Sequence, residues 1–187
     1  MAKRQKYKNN KKRSTENNIN KNQKKVVQRL SQFSSLTNNL IKECTDLTEN
    51  SSDFKALLEK KIIEKTENFF YKEEQTYSYK LTPKGQKISK NNGFTPYFSN
   101  SKKHDIAHAT NVINDYKDQL DFYKSEKELP KIRGASRVDG AIISPQGTIL
   151  LETITQDYSR QQISQKREYA KKYKEQNEYI EYVEMKD

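Results

Sequence analysis

Two carboxylates stand on either side of a tight turn. Asp139 lies near the start of the apolar run Val138-Asp139-Gly140-Ala141-Ile142-Ile143, and Glu152 lies near the end of Thr148-Ile149-Leu150-Leu151-Glu152-Thr153. Between them Ser144-Pro145-Gln146-Gly147 has turn chemistry, so the two runs predict a β-hairpin. Across such a hairpin the two acids can approach closely enough to share a hard divalent cation such as Mg²⁺. An ion held there would polarise a phosphate and activate water. Lys166, on a helix expected from Ser159 to Lys174, faces the same sheet in helical register and offers an ammonium group. The plain alternative for Asp139 is a solvated or hydrogen-bonded carboxylate paired with Arg137.

The remaining reactive residues carry weaker signals. His104 and His108 are the only histidines, and their i, i+4 spacing suits a metal pair on one helix face. With no third ligand in view, a histidine that packs or caps at a helix start is the expectation. Cys44 is the lone cysteine, which excludes an internal disulfide and a cysteine zinc site. No apolar stretch follows the basic N-terminus, so no signal peptide is expected and a cytosolic protein fits. Tyr169, Tyr173, Tyr179 and Tyr182 offer rings for stacking on bases, but their helical or alternating spacing predicts core.

These residues need elements to position them. Ile106, Ala109, Ile113, Tyr116, Leu120 and Tyr123 recur every three or four residues and predict one long helix over 104–124. A weak strand around Lys131–Arg133, the hairpin, the helix with Lys166 and a strand at Tyr179–Val183 complete the second half. That order resembles the core of the PD-(D/E)xK nuclease-like fold. The resemblance implies a catalytic aspartate on the second strand and a Glu-x-Lys on the third, the places of Asp139 and Glu152. Ile154 stands where the lysine belongs, so Lys166 would supply the ammonium from the next helix. An active enzyme would thus use Asp139, Glu152 and Lys166, with Asp139 and Glu152 holding Mg²⁺.

Charge sorts the first half. The 187 residues carry a net +11, and residues 1–25 hold ten Lys/Arg against Glu16 alone. Residues 1–23 are Lys/Asn-rich without periodicity and read as a disordered basic arm, suited to phosphate contacts because each releases condensed counterions. Nothing approaches the length of a transmembrane helix, and the arm has no apolar face, so a membrane partner is not expected. Val26, Val27, Leu30, Phe33 and Leu36 predict a helix over 24–36, and Thr37 caps a second that points Leu40, Ile41 and Cys44 inward.

Ser51 or Ser52 begins a third helix, with Phe54, Leu57, Leu58 and Ile62 as its buried stripe and Lys55, Lys60 and Lys61 outward. Phe69-Phe70-Tyr71, a turn from Lys72 to Thr76, and Tyr77-Ser78-Tyr79-Lys80-Leu81 predict a hairpin, after which Thr82-Pro83 opens another helix. Three short helices and a two-stranded wing give the order of a winged helix-turn-helix over 24–90, followed by a linker at 91–103. Such a module would lay Ser51, Ser52, Lys55, Lys60 and Lys61 against a major groove and grip flanking phosphates with Lys72, Lys80 and Lys84.

Over about residues 24–175 the chain resembles the replication-relaxation proteins of plasmids and conjugative elements of Gram-positive bacteria. Three stretches carry the likeness: Tyr79-Lys80-Leu81-Thr82-Pro83-Lys84-Gly85; His104-Asp105-Ile106-Ala107; and Arg137-Val138-Asp139-Gly140 with Leu150-Leu151-Glu152-Thr153 and a helix containing Lys166 and Tyr173. The resemblance implies an α+β chain, a winged helix-turn-helix followed by a small PD-(D/E)xK-like domain over 104–187. It implies a role in plasmid replication control or in DNA relaxation at a transfer origin, beside a relaxase or replication initiator. A typical member has proline before the aspartate, whereas here Val138 precedes Asp139. The sequence-based expectation is therefore a double-stranded-DNA-binding accessory protein that needs no cofactor, its second domain degenerate. The alternatives are a Mg²⁺-dependent DNA endonuclease and a transcriptional repressor acting as a homodimer on a palindrome.

Overall fold

A computed structural model describes residues 18–187, so the basic run at residues 1–17 lies outside the described residues. The chain is mixed α+β, and none of the described helices is long and apolar enough to cross a membrane.

Helix α1 (Lys21–Phe33) begins earlier than the apolar periodicity indicates. The Asn20 side chain accepts from Gln23 N while the Gln23 side chain accepts from Asn20 N, a reciprocal cap that satisfies two open amides. Asn20 and Asn22 also donate to the Asp53 carboxylate at 2.6 and 2.9 Å. Residues 21–23, assigned to the disordered arm by composition, therefore belong to the folded body. Thr37 caps α2 (Asn38–Thr45), which buries Leu40, Ile41 and Cys44 as expected.

Ser51 caps α3 (Ser52–Glu59), which buries Phe54 and Leu57 completely and Leu58 only partly. The helix stops at Glu59. Lys60 and Lys61, expected on its outer face, form the turn that follows, with Lys61 at φ 52°.

That turn leads into β1 (Ile63–Lys65), a strand the sequence reading did not contain. It pairs antiparallel with β4 (Tyr79–Leu81), while β2 (Phe69–Tyr71) pairs with β3 (Glu74–Thr76). The expected hairpin is thus longer, its register slips by one residue beyond Thr66, and its tip is the pair Lys72-Glu73, both at positive φ. Glu-Gln-Thr has no apolar residue to announce a strand, which is why β3 reads as turn.

Helix α4 (Pro83–Asn91) follows the Thr82 cap. Thr82 Oγ1 donates to Lys61 O at 2.6 Å, drawing the start of α4 so close to the α3–β1 turn that a Cβ on Gly85 would collide with the Ile62 carbonyl oxygen. The segment 92–101, expected as a loosely packed linker, is bonded to both halves: Phe94 is half-buried and Pro96 buried, Tyr97 N donates to Ser31 O, and Lys127 Nζ donates to Pro96 O.

The expected long helix is divided. Helix α5 (Lys102–Tyr116) gives way to a 3₁₀ segment at Lys117–Phe122, and Tyr123 begins strand β5 (Tyr123–Ser125). A threefold repeat keeps Leu120 inward, so periodicity alone did not mark the break. The weak strand expected at Lys131–Arg133 is a loop; β5 supplies the edge instead. β6 (Gly140–Ser144), β7 (Gly147–Ile154), α6 (Arg160–Gln176) and β8 (Ile180–Lys186) follow. The sheet order is β5-β6-β7-β8, antiparallel except for β7 and β8, which run parallel across the α6 crossover.

Alternation along the sheet assigns its two faces. Ala141 and Leu150 pack with Val138, Tyr169, Ala170 and Tyr173 against α6. Ile142 and Leu151 face the other way, into a core continuous with Ile106 and Ile113 of α5 and Val26, Leu30 and Phe33 of α1. Arg29, only 4% exposed, reinforces this junction by donating to Leu120 O at 2.8 Å and to Asp121 at 2.7 Å, and Gln32 donates to Leu120 O and Tyr123 O.

Candidate active site

Asp139 immediately precedes β6 and stands across the hairpin from Glu152. Asp139 N donates to Glu152 Oε2 at 3.0 Å, and Thr153 N donates to Asp139 Oδ2 at 2.8 Å, so each acid is fixed by a backbone amide from across the hairpin. The glycine after Asp139 has a steric reason. A Cβ on Gly140 would run into the Tyr123 ring, which crosses it from β5.

Lys166 comes up from α6 to both acids. Its Nζ lies 3.3 Å from Asp139 Oδ1 and 3.2 Å from Glu152 Oε2. The three residues read from the sequence as a possible catalytic set therefore converge. Arg137 does not join them; it donates to Leu129 O at 3.3 Å and stands 3.9 Å from Glu126.

Two residues that sequence reasoning left out of the cluster complete it. His104, in the first turn of α5, places Nε2 3.1 Å from Asp139 Oδ2, 3.2 Å from Thr153 O and 3.0 Å from Tyr158 Oη. Tyr158 lies in the polar connection between β7 and α6, where no periodicity could single it out. His108, one turn further, is fully engaged: Nδ1 meets Thr153 Oγ1 and Nε2 meets Tyr123 Oη, both at 2.9 Å. Of the two readings of the i, i+4 pair, His108 follows the packing one, while His104 turns to the acids.

Burial and charge pull these groups apart. Burial alone would raise the Asp139 carboxyl, but the His104 hydrogen bond and the Lys166 charge outweigh it and hold Asp139 well below the usual carboxylate range. Burial and the neighbouring Asp139 charge push Glu152 up to about 8. Lys166 and His104 are both raised, since their acidic partners more than offset desolvation, whereas burial lowers His108 to about 4 and keeps it neutral.

Glu152 is 1% exposed, and its Oε1 has no hydrogen-bond partner among the described residues. A buried anionic oxygen without a partner is costly and is answered by a proton or a cation. The Asp139 and Glu152 carboxylates are hard donors of the kind a small divalent ion takes, and Lys166 Nζ stands against both. Among the described residues no group of three or more His, Cys, Asp or Glu is arranged for a metal. The protein would therefore supply two carboxylates and leave the other positions to water and phosphate, as Mg²⁺ commonly has them.

The residues expected on DNA are only partly together. Ser51 Oγ donates to Thr48 O and accepts from Phe54 N, so its hydroxyl is spent on the cap, while Ser52 and Lys55 are exposed on α3. Lys84 Nζ donates to Lys60 O at 2.9 Å, which gathers Lys60, Lys61 and Lys84 where the α3–β1 turn meets α4. Lys80 is paired with Glu64 at 3.3 Å, and Lys72 with Asp187 at 3.5 Å. The chain matches no protein-family model, no curated protein and no solved structure.

Proposed function

We propose that this protein binds double-stranded DNA and cuts it as a Mg²⁺-dependent endonuclease of the PD-(D/E)xK type, with a winged helix-turn-helix as its DNA-reading half. The observation that carries this reading is the convergence of Lys166 Nζ on Asp139 and Glu152 from three separate elements. A strand order with β7 and β8 parallel across a helix supports the fold side of it.

Asp139 and Glu152 would hold the ion, which when bound supplies Lewis-acid polarisation and a more acidic water. Lys166 places a positive charge where a phosphate oxygen gains negative charge. His104 orients Asp139 through Oδ2 and leaves Oδ1 to Lys166. The exposed cations Lys55, Lys60 and Lys61 supply sequence-independent affinity. By the resemblance drawn from its motifs, the DNA would be an origin on a mobile element, with a relaxase or replication initiator as companion.

Plasmid nicking in Mg²⁺ or Mn²⁺, wild type against Glu152→Ala, tests the reading. Metal-dependent cutting that the substitution abolishes is expected; no cutting by the wild type in either metal overturns the enzymatic part.

A second reading is the binding-only accessory protein. The observation in its favour is that Lys166 bridges both carboxylates in a cluster nearly closed to solvent, an arrangement that also serves as a buried ion pair. DNA affinity that falls steeply with salt, without cutting, is its signature.

A further inference from the structure

Beside the acid–lysine cluster lies a second cationic surface. Residues 130–137 run from the short helix after β5 to the start of β6 and carry Lys131, Arg133 and Arg137 with no acid among them. This concentration stands out because residues 104–187 together contain 13 Lys/Arg against 15 Asp/Glu.

The loop is tied down from α6. Tyr169 Oη donates to Pro130 O at 2.9 Å, Lys172 Nζ to Arg133 O at 3.1 Å, and Ser136 Oγ to Gln165 Oε1 at 2.9 Å. With its backbone held by another element, the loop presents Lys131 and Arg133 outward as fixed features of the surface. A groove of about 540 Å³ opens along it, lined by Lys131, Arg133, Ser136, Arg137 and one acid, Glu126. Glu126 is partly offset by Arg137 at 3.9 Å, and neither Lys131 nor Arg133 forms an ion pair among the described residues.

The groove adjoins the cluster on two sides. Glu126 N donates to Asp139 O at 2.8 Å, and Gln165, which holds Ser136, directly precedes Lys166 on α6. A strand lying in the groove would carry its next phosphates towards Asp139, Glu152 and Lys166.

We propose that this groove is a backbone-holding subsite that takes the DNA phosphates flanking the one presented to the cluster. Its purpose rests on the phosphodiester-cutting reading above, but its occupancy is measurable without cutting.

The test uses the full chain, a labelled DNA duplex and the double variant Lys131→Ala/Arg133→Ala. Titrations at several salt concentrations should show the slope of log affinity against log salt reduced by about 2, since each lost phosphate contact removes about 0.9. The charge-keeping variant Lys131→Arg/Arg133→Lys should restore it. DNA should also protect Lys131 from acetylation while leaving Lys117 reactive. An unchanged slope with Lys131 unprotected overturns the subsite. Cutting by the wild type with Lys131 unprotected removes the subsite and leaves the nuclease standing. Protection and the slope change without cutting do the reverse.

Discussion

Phe33 of α1 stacks on Tyr123 of β5 with ring centroids 4.6 Å apart, and the hydroxyl of Tyr123 meets His108 Nε2 at 2.9 Å. His108 in turn holds the Thr153 hydroxyl, next to Glu152. The first helix of the described chain therefore braces the strands that carry the acids.

Lys166 is the residue whose loss should be felt most at the site. Lys166→Ala leaves two buried carboxylates facing each other, and removing one partner of a buried ion pair typically costs about 3–5 kcal/mol. Urea denaturation should show that loss.

Gly140 tests the steric argument. Gly140→Ala places a methyl group against the Tyr123 ring, and overpacking of this kind costs about 1–3 kcal/mol. The same change should loosen the Tyr123–His108 contact, so the His108 ring resonances in an NMR spectrum should broaden or shift. An unaltered melting temperature and an unaltered His108 signal would count against the close approach.

Asp105 sets a pH dependence. It is 4% exposed, and burial pushes its carboxyl up to about 7 from an ordinary value near 4. Its folded pKa is above its unfolded one, so its contribution to stability is complete below about pH 4 and is lost as pH rises through 7. Asp105→Asn should abolish that part of the decline, leaving the variant relatively more stable at pH 8 than at pH 5. Melting curves across this range decide it.

The Asn20 cap is a fourth test. Asn20→Ala removes the side-chain half of the reciprocal cap of α1 and a hydrogen bond to Asp53, and the loss of an N-cap alone costs about 1 kcal/mol. If residues 20–23 were unstructured, hydrogen exchange over Lys24–Leu30 would not change; faster exchange there is expected.

Much of this architecture could be read from residue types. Apolar spacing with Thr37, Ser51 and Thr82 as caps located their three helices within a few residues, because caps and stripes are local signals. Strands of three residues were another matter. Ile63–Lys65 and Glu74–Thr76 owe their existence to partners elsewhere in the chain, and their own residues carry no alternation long enough to detect. Tyr123–Ser125 was hidden because Leu120 and Tyr123 keep a helix-like interval through a 3₁₀ segment. At the site, Asp139, Glu152 and Lys166 followed from the hairpin and one helix register. Tyr158 sits in an aperiodic connection, and the bond from His104 to Asp139 spans 35 positions, so neither had a local sign.

The burial of Arg29 bears on how the chain can be dissected. Its guanidinium closes a seam between α1 and the segment leading into β5, and Ile142 and Leu151 rest on the far side of that seam. A fragment starting at residue 104 would present one apolar face of its sheet to water and would clump or seek a substitute cover. The two halves are neighbours sharing a wall, and whoever removes one room must expect the other to lose its roof.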